Sequence, residues 1–241
     1  MKSIGIRAEI LPFIAVTVLL FGLLAAVMEP GLCLFAGCVL IGYLLYFFRD
    51  PERIPPCDAD AVVSGADGTV AAIAEVYEGC HLKASCIRIS IFLSLFDVHV
   101  NRAPISGESS FLGYFPGRHL FTFREKSSDV NQHNKILIAG ERTRCLICQI
   151  VGPVCRRVVY WLPHDKPVEV AMGDRIGMMK FGSRLDIYLP VDNVKVLVTP
   201  GTKVRAGETV LARIGDAHPR ISEAPTVRTS ATAGAAGRTP E

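Results

Sequence analysis

Hydrophobic and polar positions follow two different regimes along the chain, and the change falls near Arg53. Residues 11–28 and 31–48 are two nearly unbroken apolar runs separated only by Glu29-Pro30. Each has about the 18 to 20 residues that cross a hydrocarbon core, and the proline between them marks a tight turn. The pattern predicts a helical membrane hairpin over residues 1–53. Lys2 and Arg7 precede the first run and Arg49 and Arg53 follow the second. Positive flanks favour the cytoplasmic side, so both ends of the hairpin, and whatever follows it, are expected on the cytoplasmic face of the cell (inner) membrane. A signal peptide would carry a small-residue cleavage site before the second run, and none is evident. A shallow re-entrant hairpin is the nearer alternative.

Beyond Pro56 the apolar positions become short, alternating or β-branched segments punctuated by glycine. Residues 61–63, 69–73, 86–93, 135–139, 143–151, 157–161, 184–189 and 194–198 carry the strongest strand signals. No amphipathic helical period competes with them. The expectation over residues 54–214 is a mainly β domain, barrel-like or a flattened sandwich. Residues 170–176 and 204–210 echo each other as Val-x-x-Gly-(Asp/Glu)-x-(Ile/Val), with the Gly-acid pair supplying a turn. Such paired turns resemble the hammerhead elements of biotinyl and lipoyl carrier domains. Residues 215–241 are rich in Ala, Thr, Gly, Ser and Pro without apolar period, which predicts a disordered tail.

Composition narrows the classes of function. Half the residues are hydrophobic and mean hydropathy is +0.34, an excess that the two N-terminal runs account for. The formal charge of +3 comes with no basic-aromatic stripe, which argues against nucleic acid. Anionic lipid is the expected attraction for Arg7, Arg49, Arg53, Arg102, Arg118, Arg156 and Arg157, of which only Arg49 and Arg53 are set at an interface by the sequence. The eight cysteines include one Cys145-Leu-Ile-Cys148 without a second pair, so no metal site is expected and reduced, buried thiols are.

Phe181-Gly182-Ser183-Arg184 is where chemistry concentrates. The tetrapeptide follows a turn-rich stretch and precedes an alternating strand, so the serine stands where one β-segment hands over to the next. Glycine admits backbone conformations closed to other residues, and a strained peptide bond beside a hydroxyl is a candidate for intramolecular acyl transfer. A serine hydroxyl needs a base. Asp97-Val-His99 offers one: on an extended segment positions two apart share a face, so carboxylate and imidazole are expected side by side.

The block Gly173–Pro190, together with Phe47-Phe-Arg-Asp-Pro-Glu-Arg53, Ser64-Gly-Ala-Asp-Gly-Thr69, Phe92-Leu-Ser-Leu-Phe-Asp-Val-His-Val-Asn-Arg102 and Asn131-Gln-His-Asn134, resembles the phosphatidylserine decarboxylases in their short bacterial and archaeal form, in the family's order over residues 40–212. The resemblance implies self-cleavage between Gly182 and Ser183, a β chain of residues 1–182 and an α chain of residues 183–241 that stay associated, and conversion of Ser183 to a covalent pyruvoyl group, the pyruvate-type cofactor. That group would form a Schiff base with the amine of phosphatidylserine in the bilayer and release carbon dioxide and phosphatidylethanolamine. Asp97 and His99 are the catalytic candidates beside Ser183, with His99 also the expected proton donor in decarboxylation. Where the short form shows Asn-Glu-Arg-Asn this chain has Asn-Gln-His-Asn, and no role is assigned to His119 or His133. His81, His164 and His218 are expected in loops or facing solvent. Gly65, Asp67 and Gly68 either line the site or form a simple turn. The competing reading is a membrane-anchored carrier or adaptor, for which Met179-Lys180 would supply the exposed lysine. A pyruvoyl decarboxylase of a soluble amino acid would have no need of the apolar runs.

Overall fold

The computed structural model describes residues 4–118, 131–152, 158–180 and 183–215. The two apolar runs form α1 (Leu11–Leu24) and α2 (Pro30–Phe47), each with a proline in its first turn, where a missing N–H costs nothing. Two short strands bracket them, β1 (Ile4–Ile6) and β2 (Arg49–Pro51), paired antiparallel from Ile6↔Arg49 to Ile4↔Pro51. The chain therefore enters and leaves the hairpin at one place. Gly37 lets the helices approach, since a Cβ there would lie 3.4 Å from the Phe21 side chain. Ile10, Leu44, Phe47 and Phe48 at the base form a buried cluster with Met178 of the β-rich part. Further out, Leu19, Leu23, Val27, Leu34 and Phe35 are 68–81% exposed. Among the described residues one helix, Pro30–Phe47, is long and apolar enough to cross a membrane.

The remainder is mainly β, as expected. Its strands are β3 (Ala61–Val63), β4 (Gly68–Glu78), β5 (Ala84–Leu93), β6 (Val100–Arg102), β7 (Gly107–Phe115), β8 (His133–Ala139), β9 (Arg144–Val151), β10 (Val158–Tyr160), β11 (Val168–Val170), β12 (Arg175–Met179), β13 (Ser183–Pro190), β14 (Val194–Val196), β15 (Lys203–Val204) and β16 (Val210–Ile214). Among the described residues, an eight-stranded antiparallel sheet has the order β11-β7-β8-β9-β13-β5-β4-β15, and two three-stranded sheets have the orders β10-β12-β6 and β14-β16-β3.

Alternation along the large sheet separates two packed faces. Ile89, Ile91, Leu93, Ile136, Ile138, Cys145, Ile147, Leu185, Ile187 and Leu189 share one cluster with Tyr160, Ile176 and Met179 of the β10-β12-β6 sheet and with Val62, Val194 and Leu211 of the other. The opposite face carries Leu146, Cys148 and Ile150, with Tyr188 against them. The core is thus sheet packed on sheet. The two echoing turns touch: Gly173 and Gly207 have φ of 88° and 73°, and a Cβ on Gly207 would lie 3.4 Å from the Gly173 Cα.

Cys33, Cys86, Cys145 and Cys148 are buried free thiols as expected, whereas Cys38, Cys57 and Cys80 are free but exposed. The Cys145 and Cys148 thiols lie on opposite faces of β9, because a spacing of three on a strand reverses the side. Burial pushes both thiols up and lifts Cys86 to about 11. Arg53 is not free for head groups: it is 10% exposed and pairs with Asp67 at 2.7 Å and Glu208 at 3.0 Å. The predicted tail lies outside the described residues from 216 onward.

Candidate active site

The site begins where the chain changes sheets. β12 lies in the β10-β12-β6 sheet and β13 at the centre of the large one, so the chain changes layers between Met179, the end of β12, and Ser183, the start of β13. The expected handover between β-segments is therefore at Ser183, the first residue of β13. Gly182 and Phe181 lie outside the described residues. Ser183 pairs with Leu93 of β5 and Val151 of β9, is fully buried, and its Oγ has no hydrogen-bond partner among the described residues. A buried hydroxyl left unpaired costs about 1–3 kcal/mol, so a polar partner or a chemical use is called for. Arg184, next along the strand, points to the opposite face and donates from Nε to Asp186 at 2.7 Å.

His99 is held against the same crossover. Its carbonyl accepts from Met179 N at 3.1 Å, four residues before Ser183. Its ring packs at a tilt against Phe47 of α2 with centroids 4.4 Å apart and is fully buried. Nδ1 is 2.9 Å from the Asp97 carbonyl oxygen. A carbonyl can only accept, so Nδ1 carries the proton and Nε2 presents its lone pair. Nε2 has no partner. Burial lowers the imidazole to about 4, so the ring is neutral near neutral pH and suited to accept a proton.

The side-by-side Asp97 carboxylate and His99 imidazole are not found. Asp97 lies in a turn after β5, not on an extended segment, and its Oδ2 accepts from Ser94 N at 2.8 Å and Ser94 Oγ at 2.6 Å. The carboxylate closes the turn, and it is the backbone carbonyl of Asp97 that orients the histidine. The turn is tied to α2 by Tyr46 Oη and to β2 by Arg49 Nη2, which donate to Phe96 O at 3.1 and 2.8 Å.

Asn101, two residues beyond His99, was not singled out from the sequence. It is fully buried, its Oδ1 accepts from Gln149 Nε2 at 2.7 Å, and its Nδ2 has no partner among the described residues. Buried polar residues in a run as apolar as residues 98–105 are the signal that could have found it.

The other sequence candidates lie elsewhere. Asp67 accepts from Arg53 and, at 2.7 Å, from Ala206 N; burial raises its carboxyl. Gly68 has φ 153°, and a Cβ would meet Phe92 O at 2.1 Å. Gly65 accepts from Arg102 N at 2.9 Å. These residues bracket the hairpin's exit against the second echoing turn. His133 stacks on Phe115 with centroids 5.2 Å apart and contacts Asn131 O at 2.7 Å. His164, expected in a loop, is exposed yet stacks on Phe111 at 4.2 Å. His119, His218, Arg156 and Arg157 lie outside the described residues. Lys180 is 8% exposed, its Nζ 5.5 Å from the Phe13 ring centre and 5.9 Å from that of Phe48. An attachment lysine must reach solvent at a hairpin tip, and this one is under the hairpin's base. Among the described residues no cluster of three His, Cys, Asp or Glu side chains could hold a metal.

Known proteins align with this arrangement along most of the chain. A family profile described as phosphatidylserine decarboxylase matches residues 40–212. The chain is 43% identical over 177 residues to a phosphatidylserine decarboxylase proenzyme of Carboxydothermus hydrogenoformans, covering 73% of this chain and 82% of that one. It is 36% identical over 214 residues to the proenzyme of the same name from Desulfotalea psychrophila, covering 88% of this chain and 98% of that one. The matched span holds Ser183, His99 and Asn101 together with both layers that the crossover joins, and the chain belongs to the phosphatidylserine decarboxylase family.

Proposed function

We propose that the chain is the proenzyme of a pyruvoyl-dependent decarboxylase that converts phosphatidylserine to phosphatidylethanolamine and carbon dioxide in phospholipid synthesis. The observation that carries this reading is the buried, unpartnered Ser183 Oγ at a crossover between two sheets, in a chain of this family. With the neutral His99 taking its proton, the hydroxyl attacks the adjoining carbonyl of Gly182, and elimination then frees residues 1–182 from residues 183–241. Asp97 acts through the turn that presents its own carbonyl to His99.

The surroundings of Ser183 fit a small acyl group: Leu93 and Val151 flank it, and no exposure admits bulk water. A pyruvoyl group at position 183 would supply a carbonyl that takes up the substrate amine and receives the electron pair left by carbon dioxide. His99, shielded by Phe47, is neutral at rest, so the proton it delivers in this reading is one its Nε2 has first taken up. The two product chains are expected to remain one body. β13 lies between β5 and β9, β15 pairs with β4 and β16 with β3, so scission leaves each fragment threaded through the other's sheets. The paired glycine turns, hammerhead-like in sequence, serve in this reading as scaffold rather than as a carrier.

The bare outer half of the hairpin favours a substrate that stays in a bilayer. We read residues 1–53 as a membrane hairpin that sets the β-rich part on the cytoplasmic face of the inner membrane, with the head group entering near the base. Intact mass of the wild-type chain and of Ser183→Ala tests the core of the reading. Two chains in the wild type are expected, the C-terminal one starting at position 183 and lighter than its sequence by one ammonia, with Ser183→Ala uncut. A wild-type chain that stays whole would overturn it.

A further inference from the structure

We propose that Asn101 is a catalytic residue of the self-cleavage step, its Nδ2 donating a hydrogen bond to the oxyanion that forms when Ser183 Oγ attacks the neighbouring carbonyl. The proposal rests on the self-cleavage reading above. Three buried side-chain atoms near the crossover lack partners among the described residues, and they are complementary in kind: a nucleophile, Ser183 Oγ; a lone pair, His99 Nε2; and a donor, Asn101 Nδ2. Acyl transfer requires these three functions.

The donor is built to face the site. Asn134 Nδ2 donates to Gln149 Oε1 at 3.4 Å, and Gln149 Nε2 donates to Asn101 Oδ1 at 2.7 Å. This amide chain is buried throughout and uses up the oxygen end of Asn101, leaving the N–H end outward. Strand register brings it to the serine. Gln149 pairs with Leu185, and two residues along the same strands Val151 pairs with Ser183, so Gln149 and Ser183 share the inner face of the sheet. Asn101 reaches that face from β6, opposite Gly177 of β12. A side chain at Gly177 would come within 3.1 Å of Gln149 Nε2 and disturb the chain of amides.

The step balances within the protein. The Oγ–carbonyl bond forms as the Oγ proton passes to His99 Nε2. The carbonyl π pair becomes the oxyanion held by Asn101. The pair then returns, the C–N bond breaks, and the leaving nitrogen takes the proton from His99, giving an ester and a free amine. Gln149 is a positioning residue that fixes the amide's orientation.

Scission can be followed by intact mass during cell-free synthesis in detergent. The wild type must be cut and Ser183→Ala must not; a whole wild-type chain would remove the self-cleavage reading and this proposal with it. Given a cut wild type, Asn101→Asp keeps the shape and the acceptor for Gln149 but loses the donor. It is expected to melt within a few degrees of Ser183→Ala and to be cut about 10²-fold more slowly or worse. Lowering the pH from about 8 toward about 6 should protonate the introduced, buried carboxyl and restore a donor, raising its rate relative to the wild type. A folded Asn101→Asp chain cut at the wild-type rate, or a rate ratio flat with pH, would overturn the proposal while leaving self-cleavage intact. An Asn101→Asp chain that does not fold would assign Asn101 to the scaffold and overturn it as well. Gln149→Leu should slow the wild type yet add little in the Asn101→Asp background.

Discussion

The Asp50 carboxylate and the buried polar atoms at the sheet crossover differ in one respect, whether their hydrogen bonds are complete. At the hairpin's base, Asp50 is 3% exposed and its carboxylate accepts from Arg175 Nε at 2.7 Å, Arg102 Nη2 at 3.2 Å and Arg7 Nη1 at 3.4 Å. Arg102 also donates to the carbonyls of Pro51 and Gly173 at 2.9 Å. At the sheet crossover, Ser183, His99 and Asn101 are each fully buried and each keeps one polar atom without a partner. A buried carboxylate ringed by donors gains nothing by reacting. Unpaired atoms under the same burial hold a desolvation cost that substrate or transition state can relieve. The first group joins the hairpin to the β layers, and the second is the one proposed to perform chemistry between them.

Breaking the incomplete group should alter reaction and spare folding. His99→Phe keeps a ring against Phe47 and removes the lone pair. Scission is expected to fall by about 10² to 10⁴-fold, with thermal unfolding little changed. A rate near that of the wild type would show that another group accepts the proton.

Breaking the complete group should do the reverse. Asp50→Ala leaves three guanidinium groups around a vacated centre, and removing one partner from a buried charge cluster costs about 3–5 kcal/mol. Denaturant unfolding should register that loss, while the folded fraction is still cut at position 183. A stability change below about 1 kcal/mol would mean that water already serves the arginines.

Acid titration sharpens the contrast. The His99 imidazole is lowered to about 4 by burial, so between its ordinary value near 6.5 and that point the unfolded chain binds the extra proton and the folded chain does not. Stability should therefore fall as the pH drops through this window, by about 1.4 kcal/mol per pH unit. His99→Phe should flatten that part of the profile, and an unchanged slope would place the titration elsewhere.

The smallest effect is expected at the turn linking the two groups. Tyr46→Phe removes one exposed hydrogen bond to Phe96, worth about 0.5–1.5 kcal/mol at most. Its effect on scission should be under about threefold unless the Ser94–Asp97 turn moves with it.

Much of the fold was legible because its signals are local. The hairpin runs are apolar over lengths no soluble strand uses, and the prolines in their first turns set where α1 and α2 begin. β5, β8, β9 and β13 are dense in isoleucine, leucine and valine, and the break before Ser183 follows from glycines on either side of a short apolar stretch. β7 was missed because its glycines and serines dilute the alternation and a bulge between Phe111 and Gly113 shifts its register. β1 and β2 are too short for any periodicity to register.

The candidate site divides along the same line. The sequence alone determined that a Gly-Ser pair stands between two β-segments, that a histidine and an acid lie two residues apart, and that an apolar hairpin precedes them. Tertiary structure decided that the Asp97 carbonyl, rather than its carboxylate, faces His99, that the Arg53 charge is spent on Asp67 and Glu208, and that Asn101 is joined to Gln149 across 48 residues and Asp50 to Arg175 across 125. Propensity and periodicity act over a few neighbouring residues, whereas a hydrogen bond between distant ones exists only once strand register and layer packing have brought donor and acceptor together.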